Sequence, residues 1–355
     1  MTENSLSLTT DNWQYLHGKP RLSGSLKNKT EDFCVEEVLG FDLSNSGEHS
    51  FLWIKKTDTN TAFVGELLAK FAKVPLRNIG YAGRKDKYAV TYQWFSIYHA
   101  NKPIPNWHEF SAQNVEIIKV SKHDKKLKTG ALKSNKFKIT INLSTSIDTD
   151  WLTSRIENIK RLGVPNYFGQ QRFGEMRTSD GRLVLNGNLL LGEKFIQGEI
   201  IKNRNKRSMM ISALRSWLFN QVVSKRIENE KIHITLCGDV MQLTGSKSYF
   251  VCHREDMPTM IDRLNKRDIQ ITAPMWGSGK QLSTEDAHAF ENSVIEDYQM
   301  LCDKLSDIGL KQERRALLLY PEAFEYDVKD DILTLRFELP AGAFATSVIR
   351  EIVNT

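Results

Sequence analysis

The order of strand-like and helix-like segments constrains the fold of this chain more than any other feature. The first third reads mainly as strands, and a further strand returns near the C-terminus, where residues 331–339 alternate between apolar and polar side chains. Between them, residues 185–319 have a largely helical pattern. A strand that returns after a helical block indicates a domain inserted into a β-containing core, rather than two domains in tandem.

Hydrophobic periodicity predicts the individual elements of this arrangement. Strands are predicted at residues 49–57, 90–98, 136–142 and 331–339, and helices at about 61–73, 150–162, 208–227 and 283–309. Asp150 is suited to cap the second helix, and Gly163 with Pro165 ends it. The last helix begins at Ser283, with Asp286 in the capping position three residues on. Residues 166–174 follow neither period, so we expect a loop that exposes two aromatic side chains and an arginine.

Composition excludes several classes of protein. A chain of 355 residues with 40% hydrophobic residues has enough apolar side chains to bury a core, and its length suggests two domains or one core with a large insertion. No apolar run approaches the roughly 18 residues of a membrane span. The N-terminus does not resemble a signal peptide. We therefore expect a soluble, cytoplasmic protein that does not engage membranes. Without an obvious dimerisation segment or an evident protein partner, we expect a monomer.

The remaining composition indicates neither a metal site nor a nucleotide-hydrolysis site. The four cysteines form no CxxC pair, so we expect reduced, structural thiols. The segment GSGK at residues 277–280 resembles a phosphate-binding loop. That loop requires glycine where Pro274 stands and serine or threonine where Gln281 stands. Zinc-protease and zinc-deaminase motifs are also incomplete.

Positive charge is concentrated in three places, although the net charge is only +6. Residues 121–138 contain seven lysines and one acid, and two shorter basic clusters lie near residues 84–87 and 202–207. Any one of them alone is as consistent with a solvated surface as with a binding site. Three such clusters, mixed with apolar residues, favour a polyanionic partner.

The segment at residues 79–91 holds one carboxylate, Asp86, among Arg84, Lys85 and Lys87. Taken alone, its composition favours a polar turn whose charges are solvated. The alternative is an aspartate kept ionised by neighbouring cations, able to act as a nucleophile or a base. Two glycines in the same segment allow close approach of backbone or base.

Several segments together carry a family resemblance. They are YLHGKP at 15–20, EDF at 31–33, GRKDKYAVT at 83–91, NYFGQQRFG at 166–174, RNKRS at 204–208 and LPAGAFATS at 339–347. In sequence and order they resemble the signatures of the TruD family of tRNA pseudouridine synthases, from near the N-terminus to the last residues. The run at 175–181 departs from the more glycine-rich family pattern, so the path of that loop is not predicted.

The resemblance implies an α+β fold: a pseudouridine-synthase catalytic core with a mixed, largely antiparallel sheet flanked by helices. This core comprises residues 1–184 and 320–355, and a family-specific α/β domain is inserted at 185–319. The implied activity is isomerisation of uridine to pseudouridine at position 13 of tRNA, without a cofactor.

The resemblance also implies roles for individual residues. Asp86 matches the catalytic aspartate of the family, and Lys27 matches a lysine near it. Phe33, Asn166 and Phe344 match the uracil-contacting positions, and we add Phe168 and Arg172 as substrate-binding candidates. Candidates for contact with the RNA backbone are Arg84, Lys87, Lys125, Lys126, Lys128, Arg204, Lys206 and Arg207.

The residue types suit this chemistry independently. The reaction breaks the bond between ribose C1′ and uracil N1, turns the base and rejoins it through C5, which requires a base extruded from the RNA stack. Aromatic faces can hold the detached base, and an amide can read its edge. Asp86 can attack C1′, remove a C2′ proton or attack uracil C6, and the sequence leaves these three routes open.

A different class of function is an RNA-binding protein or tRNA-folding chaperone that has the fold without the chemistry. Asp86 discriminates between the two, because a binding-only relative is free to lose this carboxylate. A third class, a nucleotide-dependent RNA enzyme, is disfavoured by the broken loop at residues 274–281.

Overall fold

The computed structural model describes residues 7–99, 102–177, 180 and 182–355, and its secondary structure alternates strands with helices. The strands are β1 Leu22–Leu26, β2 Phe33–Leu39, β3 His49–Thr57, β4 Ile79–Tyr81, β5 Val90–Tyr98, β6 Val115–His123, β7 Leu132–Leu143, β8 Val164–Pro165, β9 Glu175–Arg177, β10 Leu183–Leu185, β11 Val240–Leu243, β12 Tyr249–Val251, β13 Ile269–Met275, β14 Glu313–Ala316, β15 Leu318–Leu319, β16 Glu322–Lys329, β17 Ile332–Pro340 and β18 Val353–Asn354.

The helical segments are of two kinds. The α-helices are α1 Thr61–Phe71, α2 Thr149–Leu162, α3 Gly187–Ile196, α4 Arg204–Glu228, α5 Met257–Asn265, α6 Glu285–Ile295, α7 Gln299–Asp307 and α8 Ala345–Arg350. Single 3₁₀ turns are at Thr30–Asp32, Leu76–Asn78, Trp107–Glu109, Gln170–Arg172, Arg254–Asp256 and Glu296–Tyr298. None of the helices in these described ranges is long and apolar enough to cross a membrane.

The chain divides into two compact units, each built from separate stretches of sequence. Unit 1 comprises the described residues up to Lys19 together with Gly163–Leu319 and Thr346–Glu351. Unit 2 comprises Pro20–Leu162, Tyr320–Ala345 and Ile352–Thr355. The catalytic and inserted domains implied by the resemblance, with their boundaries at residues 185 and 319, stay a prediction.

A ten-stranded mixed sheet forms the centre of unit 2. Seven of its strands follow the order β16-β17-β7-β2-β5-β3-β6, while β1 joins β7 and β18, and β4 joins β5. Among the described strands of this sheet, the β2–β5 and β1–β18 pairs are parallel and the other pairs are antiparallel. The predicted α+β class, with a mixed and largely antiparallel sheet, is confirmed. In this arrangement β2 connects the long β7 to β5, so the ends of these strands set the position of the loops around Asp86.

The main apolar cluster of unit 2 lies between α1 and the sheet. Leu52 and Ile54 of β3 pack with Val64 and Leu68 of α1, and all four side chains are fully buried. The i, i+4 spacing of the two helical residues places them on one face, while alternation in β3 does the same for the strand. Lys56, two residues beyond Ile54, is therefore on the buried face as well.

Unit 1 combines a four-stranded antiparallel sheet with several helices. The sheet order is β12-β11-β13-β14, and the 25-residue helix α4 packs against β13. Two ion pairs among the described residues of this unit are fully buried: Arg226 with Asp239, and Arg314 with Glu291 at 2.7 Å. Such pairs require good hydrogen-bonding geometry to offset the cost of desolvating both charges.

Most elements agree with the sequence prediction, and several details differ. The strands at 49–57 and 90–98 coincide with β3 and β5, whereas the predicted strand at 136–142 extends to the whole of β7. The cap of α2 is Asp148, whose carboxylate accepts from the amide N–H of Trp151 at 3.0 Å, so the choice of Asp150 was wrong.

The predicted helix at residues 283–309 is interrupted. It consists of α6, a 3₁₀ turn and α7, and Tyr298 at the end of the turn packs edge-on against Trp217 with ring centroids 4.8 Å apart. The N-cap residue of α6 is Thr284 and not Ser283. Asp286 is therefore not three residues after the N-cap, and the capping position predicted for it was wrong. Apolar spacing continues across the break, which is why periodicity alone did not reveal it.

Candidate active site

Asp86 lies in the loop between β4 and β5 of unit 2, and neighbouring backbone holds the base of this loop. Gly80 in β4 packs so closely that a Cβ atom would stand 2.4 Å from the carbonyl oxygen of Leu127. The carbonyl of Ala82 accepts from the N–H of Gly130 at 2.8 Å. Glycine at position 80 is therefore required by close approach of two chain segments.

The Asp86 carboxylate pairs with Lys27, as the resemblance implied. Lys27 Nζ donates to Asp86 Oδ2 at 2.8 Å, and the same ammonium lies 4.3 Å from the ring centroid of Phe33. The Asp86 side chain remains 24% exposed, so it is accessible to a reactant. The structure thus brings Lys27, Phe33 and Asp86 together, with the cation between the carboxylate and an aromatic face.

The Lys27 backbone has φ 57°, which is the left-handed region that side chains other than glycine and asparagine seldom adopt. A second contact joins this turn to the Asp86 loop, because Tyr88 Oη donates to the carbonyl oxygen of Asn28 at 3.2 Å. Strained backbone of this kind persists where the surrounding structure over-determines it. Here two hydrogen bonds join the turn at residues 27–28 to the Asp86 loop, one from Lys27 to Asp86 and the other from Tyr88 to Asn28.

A buried polar network supports the loop from within the sheet. Lys85 Nζ contacts Glu37 Oε1 at 2.9 Å and donates to Asn135 Oδ1 at 2.8 Å. Gln93 Nε2 donates to the carbonyl oxygen of Gly83 at 2.6 Å. Burial raises the pKa of Glu37, and the Lys85 charge opposes that shift. The interpretation of this segment as a turn with merely solvated charges was therefore wrong, because Lys85 is an internal group.

Lys56 lies beneath the loop as a second cation. Its ammonium donates to the carbonyl oxygens of Thr59 at 2.8 Å and Asp86 at 3.0 Å. Burial, opposed by the Asp86 charge, lowers the pKa of Lys56 to about 8. Two lysines thus contact Asp86, one at the carboxylate and the other at the main chain.

A second polar cluster lies in unit 1 around Asn166. Its Nδ2 donates to the carbonyl oxygen of Ala316 at 2.9 Å, and its Oδ1 accepts from Arg315 Nη2 at 2.6 Å. The Arg315 guanidinium lies 4.3 Å from the ring centroid of Phe168. Burial, together with the charge of Arg172, lowers the pKa of Arg315 to about 10.

The loop at residues 166–174 does not expose its aromatic side chains. Tyr167, Phe168 and Phe173 are buried, and Arg172 is half-buried with Nη1 donating to Ser212 Oγ at 3.1 Å. The expectation that this loop presents them in the open was wrong. Without a visible period, the segment gave no sign that its rings pack inward against α4, where Phe219 meets Phe168 edge-on at 5.6 Å.

The other predicted site residues have the following places. Phe344 belongs to unit 2 and is half-buried just after β17, in the connection that precedes α8. The predicted RNA-backbone residues are all exposed: Arg84, Lys87, Lys125, Lys126 and Lys128 in unit 2, and Arg204, Lys206 and Arg207 at the start of α4 in unit 1. Among the described residues, no group of three or more histidine, cysteine or acidic side chains is arranged to hold a metal ion.

Sequence reasoning missed Lys56, Glu37 and Arg315. The first two had a detectable signal, because each replaces an apolar residue on the inward face of an alternating strand. The sequence signal for Arg315 in β14 was weaker. Its neighbour Arg314 is the fully buried arginine of this strand, and Arg315 is on the opposite face. A charged residue at an inward position of a predicted strand is therefore a candidate for a buried, functional side chain.

Comparisons with known proteins agree with one another. Residues 10–197 and 199–352 match the family model described as tRNA pseudouridine synthase D (TruD). A tRNA pseudouridine synthase D of Pseudoalteromonas atlantica is 46% identical, over 97% of this chain and 96% of its own. One of Shewanella oneidensis is 44% identical, over 96% and 88%. The crystal structure of a putative TruD from Methanosarcina mazei has a similar fold, with a TM-score of 0.72 at 21% identity over 95% of both chains.

Proposed function

Because the chain belongs to the TruD family of tRNA pseudouridine synthases and is an isomerase, we propose that it uses Asp86 to convert uridine 13 of tRNA to pseudouridine. The match along the chain confirms the family predicted from the motifs. The observation that carries the proposal for Asp86 is its ion pair with Lys27 at 2.8 Å, formed by a carboxylate that is still 24% exposed.

The Lys27–Asp86 pair suits each of the three chemical routes. An ammonium in contact favours the ionised carboxylate, which is the form that attacks C1′ or C6 or removes a C2′ proton. The ammonium also holds one carboxylate oxygen, Oδ2, in a fixed place. Lys27 is thus a catalytic partner whose charge both activates and orients Asp86.

Phe33, Phe344, Phe168, Asn166 and Arg172 are proposed to bind the extruded uridine. The Asn166 amide already makes one hydrogen bond through Nδ2 and accepts one through Oδ1. A side-chain amide has two N–H donors and two acceptor lone pairs, so one N–H on Nδ2 and one lone pair on Oδ1 remain for the edge of a base. Uracil presents a carbonyl beside an N–H, which an amide can match in a bidentate manner.

We propose tRNA as the partner because the exposed basic residues suit a phosphate backbone. The proposed contacts are Arg84, Lys87, Lys125, Lys126, Lys128, Arg204, Lys206 and Arg207. The proposed catalytic domain comprises residues 1–184 and 320–355, with residues 185–319 as the insertion. The protein is proposed to act as a monomer in the cytoplasm, where tRNA is modified.

Tritium release from tRNA labelled with 5-³H-uridine tests the function directly. Hydrogen leaves C5 only when the new carbon–carbon bond forms, so the signal reports isomerisation itself. We expect release by the wild-type protein and its loss in Asp86→Asn, with tRNA affinity retained. The matched control is Asp58→Asn, which makes the same change at an exposed left-handed position that asparagine tolerates.

Two outcomes contradict the proposal. Release by Asp86→Asn at the wild-type rate removes Asp86 from the chemistry. No release by a folded wild-type protein that binds tRNA favours the alternative, a tRNA-folding chaperone without chemistry. Repeating the assay with tRNA in which only position 13 is replaced by cytidine tests the position, because release must then disappear.

A further inference from the structure

Lys56 is a fully buried cation in the unit that carries Asp86. It lies in β3 on the same face as Leu52 and Ile54, and its residue exposure is 0%. Its ammonium donates to two main-chain carbonyls, those of Thr59 and Asp86. In the described parts of the chain, no carboxylate oxygen is within ion-pair distance of Lys56 Nζ.

Stability does not explain a lysine at this position. Removing an ammonium from water has a cost of several kcal/mol even after relaxation, and an ion pair in contact is the usual compensation. Two carbonyl acceptors compensate only in part. Methionine has a similar length, suits the apolar neighbours in β3 and α1, and carries no such desolvation cost. The lysine is therefore expected to serve another purpose.

The two acceptors belong to different loops. Thr59 lies between β3 and α1, whereas Asp86 lies between β4 and β5. By bonding to both carbonyls, Lys56 ties the Asp86 main chain to the end of β3, which is paired with a strand on each side. Lys27 holds the carboxylate of the same residue, so Asp86 is fixed at its backbone and at its side chain.

Electrostatics connect the same two groups. Burial lowers the pKa of Lys56, and the Asp86 charge is the largest influence in the opposite direction. Glu37 favours the protonated ammonium and Lys85 disfavours it, both through charge. Because the attraction is mutual, the Lys56 charge favours the ionised form of Asp86.

We propose that Lys56 is a positioning residue for Asp86, holding its main chain so that the carboxylate meets the reacting uridine at a fixed place. This inference rests on the catalytic role proposed above for Asp86. A displacement of about 1 Å at a reacting group costs on the order of 100-fold in rate. Lys56 is expected to act through this placement and not through contact with RNA.

The test compares Lys56→Met with Lys55→Met in single-turnover tritium release with enzyme in excess. Lys55 is the neighbouring residue on the opposite, partly exposed face of β3, so it is matched in position and in substitution. We expect the limiting rate of Lys56→Met to fall about 100-fold. The enzyme concentration that gives half the limiting rate should not change, and Lys55→Met should behave as wild type.

This design separates positioning from folding. An unfolded fraction raises the enzyme concentration needed for saturation, whereas a misplaced carboxylate lowers the limiting rate itself. A wild-type limiting rate in Lys56→Met overturns the inference while leaving Asp86 catalytic. Activity in Asp86→Asn, measured in the same series, instead overturns the function on which the inference rests.

If Lys56→Met does not fold, ¹³C-NMR of lysine-labelled protein provides the test. The Lys56 signal should titrate near pH 8 in wild type and at lower pH in Asp86→Asn, where the attraction from the carboxylate is missing. Lys55→Met identifies the neighbouring lysine signal by its absence. A Lys56 signal that titrates at the same pH in wild type and Asp86→Asn overturns the link between the two residues.

Discussion

At the scale of single residues, Asp86 is constrained by two lysines that differ in kind. Lys27 is partly exposed and reaches the carboxylate from a strained, left-handed backbone, whereas Lys56 is buried and reaches the main chain. Both arrangements have an energetic cost, one in backbone strain and the other in desolvation. Backbone strain and desolvation around one carboxylate are expected where a reacting group is held in place before the substrate binds.

Because Lys56 is buried, we expect the free energy of unfolding to increase with pH. Its pKa is about 8 in the folded protein, below the ordinary 10.5 expected after unfolding, so the unfolded chain binds more protons between these values. The cost of burying the charged ammonium is present in full below about pH 8 and is relieved as pH rises towards the unfolded pKa. Between pH 7.5 and 9.5, we expect Lys56 to add about 2 kcal/mol to the free energy of unfolding.

Urea denaturation at both pH values measures this contribution, with Lys56→Met as the reference for all other titrating groups. The wild-type gain should exceed the Lys56→Met gain by the stated amount. Equal pH dependence in the two proteins would mean that Lys56 does not titrate in this range.

The resemblance in the motifs located Asp86 and Lys27 at the residue scale, but it did not reveal what holds them. The Lys27–Asp86 contact joins residues 59 positions apart, and the sequence alone contains no distance between them. Lys56 was visible only as a charge on the inward face of a strand. Phe168 and Tyr167 are buried because they pack against Phe219 of α4 and Trp13 near the N-terminus. These partners are distant in sequence, and no local pattern specifies them.

At the scale of elements, local periodicity predicted strands better than helix ends. β17 alternates without interruption and β5 is rich in β-branched and aromatic residues, and the predictions for β3, β5 and β17 agree with the structure within one residue. Helix ends depend on one side chain or one tertiary contact, as Asp148 and Tyr298 illustrate. Helix α4 begins four residues before its predicted start, so the basic cluster at residues 204–207 lies within its first turns.

This placement of charge leads to a prediction for α4. Its first turn has no acidic residue, and cations there oppose the helix dipole. Lys206→Glu should therefore raise the free energy of unfolding by about 0.5 kcal/mol, since it also introduces a residue suited to a capping box. It should nevertheless weaken tRNA binding and reduce the slope of log K against log salt by more than about 1, because a phosphate contact is replaced by repulsion.

The control for this variant is Lys225→Glu, in the last turn of the same helix, where the sign of the dipole effect is reversed. We expect lower stability and unchanged tRNA affinity for that protein. Thermal unfolding and filter binding at several salt concentrations measure both quantities. If Lys206→Glu binds tRNA with the wild-type salt slope, the start of α4 is not part of the RNA path.

At the scale of the whole molecule, the distribution of charge is more informative than its sum. A net charge of +6 on 355 residues is unremarkable, yet exposed cations are clustered in both compact units. Within the lysine-rich segment of unit 2, Lys126 Nζ already donates to the carbonyl oxygen of Arg77 at 2.6 Å. Lys125 and Lys128 are exposed as well and make no such contact within the described structure.

This difference predicts how salt affects tRNA binding in variants of the segment. Lys125→Gln/Lys128→Gln should reduce the slope of log K against log salt by about 2, one for each released phosphate contact. Adding Lys126→Gln should have a smaller further effect, because that ammonium is bound to the protein itself. Lys247→Gln/Lys266→Gln is the matched control, since it lowers the net charge equally, from +6 to +4, at exposed lysines outside the clusters. Equal slopes for the two double variants would mean that net charge, and not the placement of these lysines, governs binding.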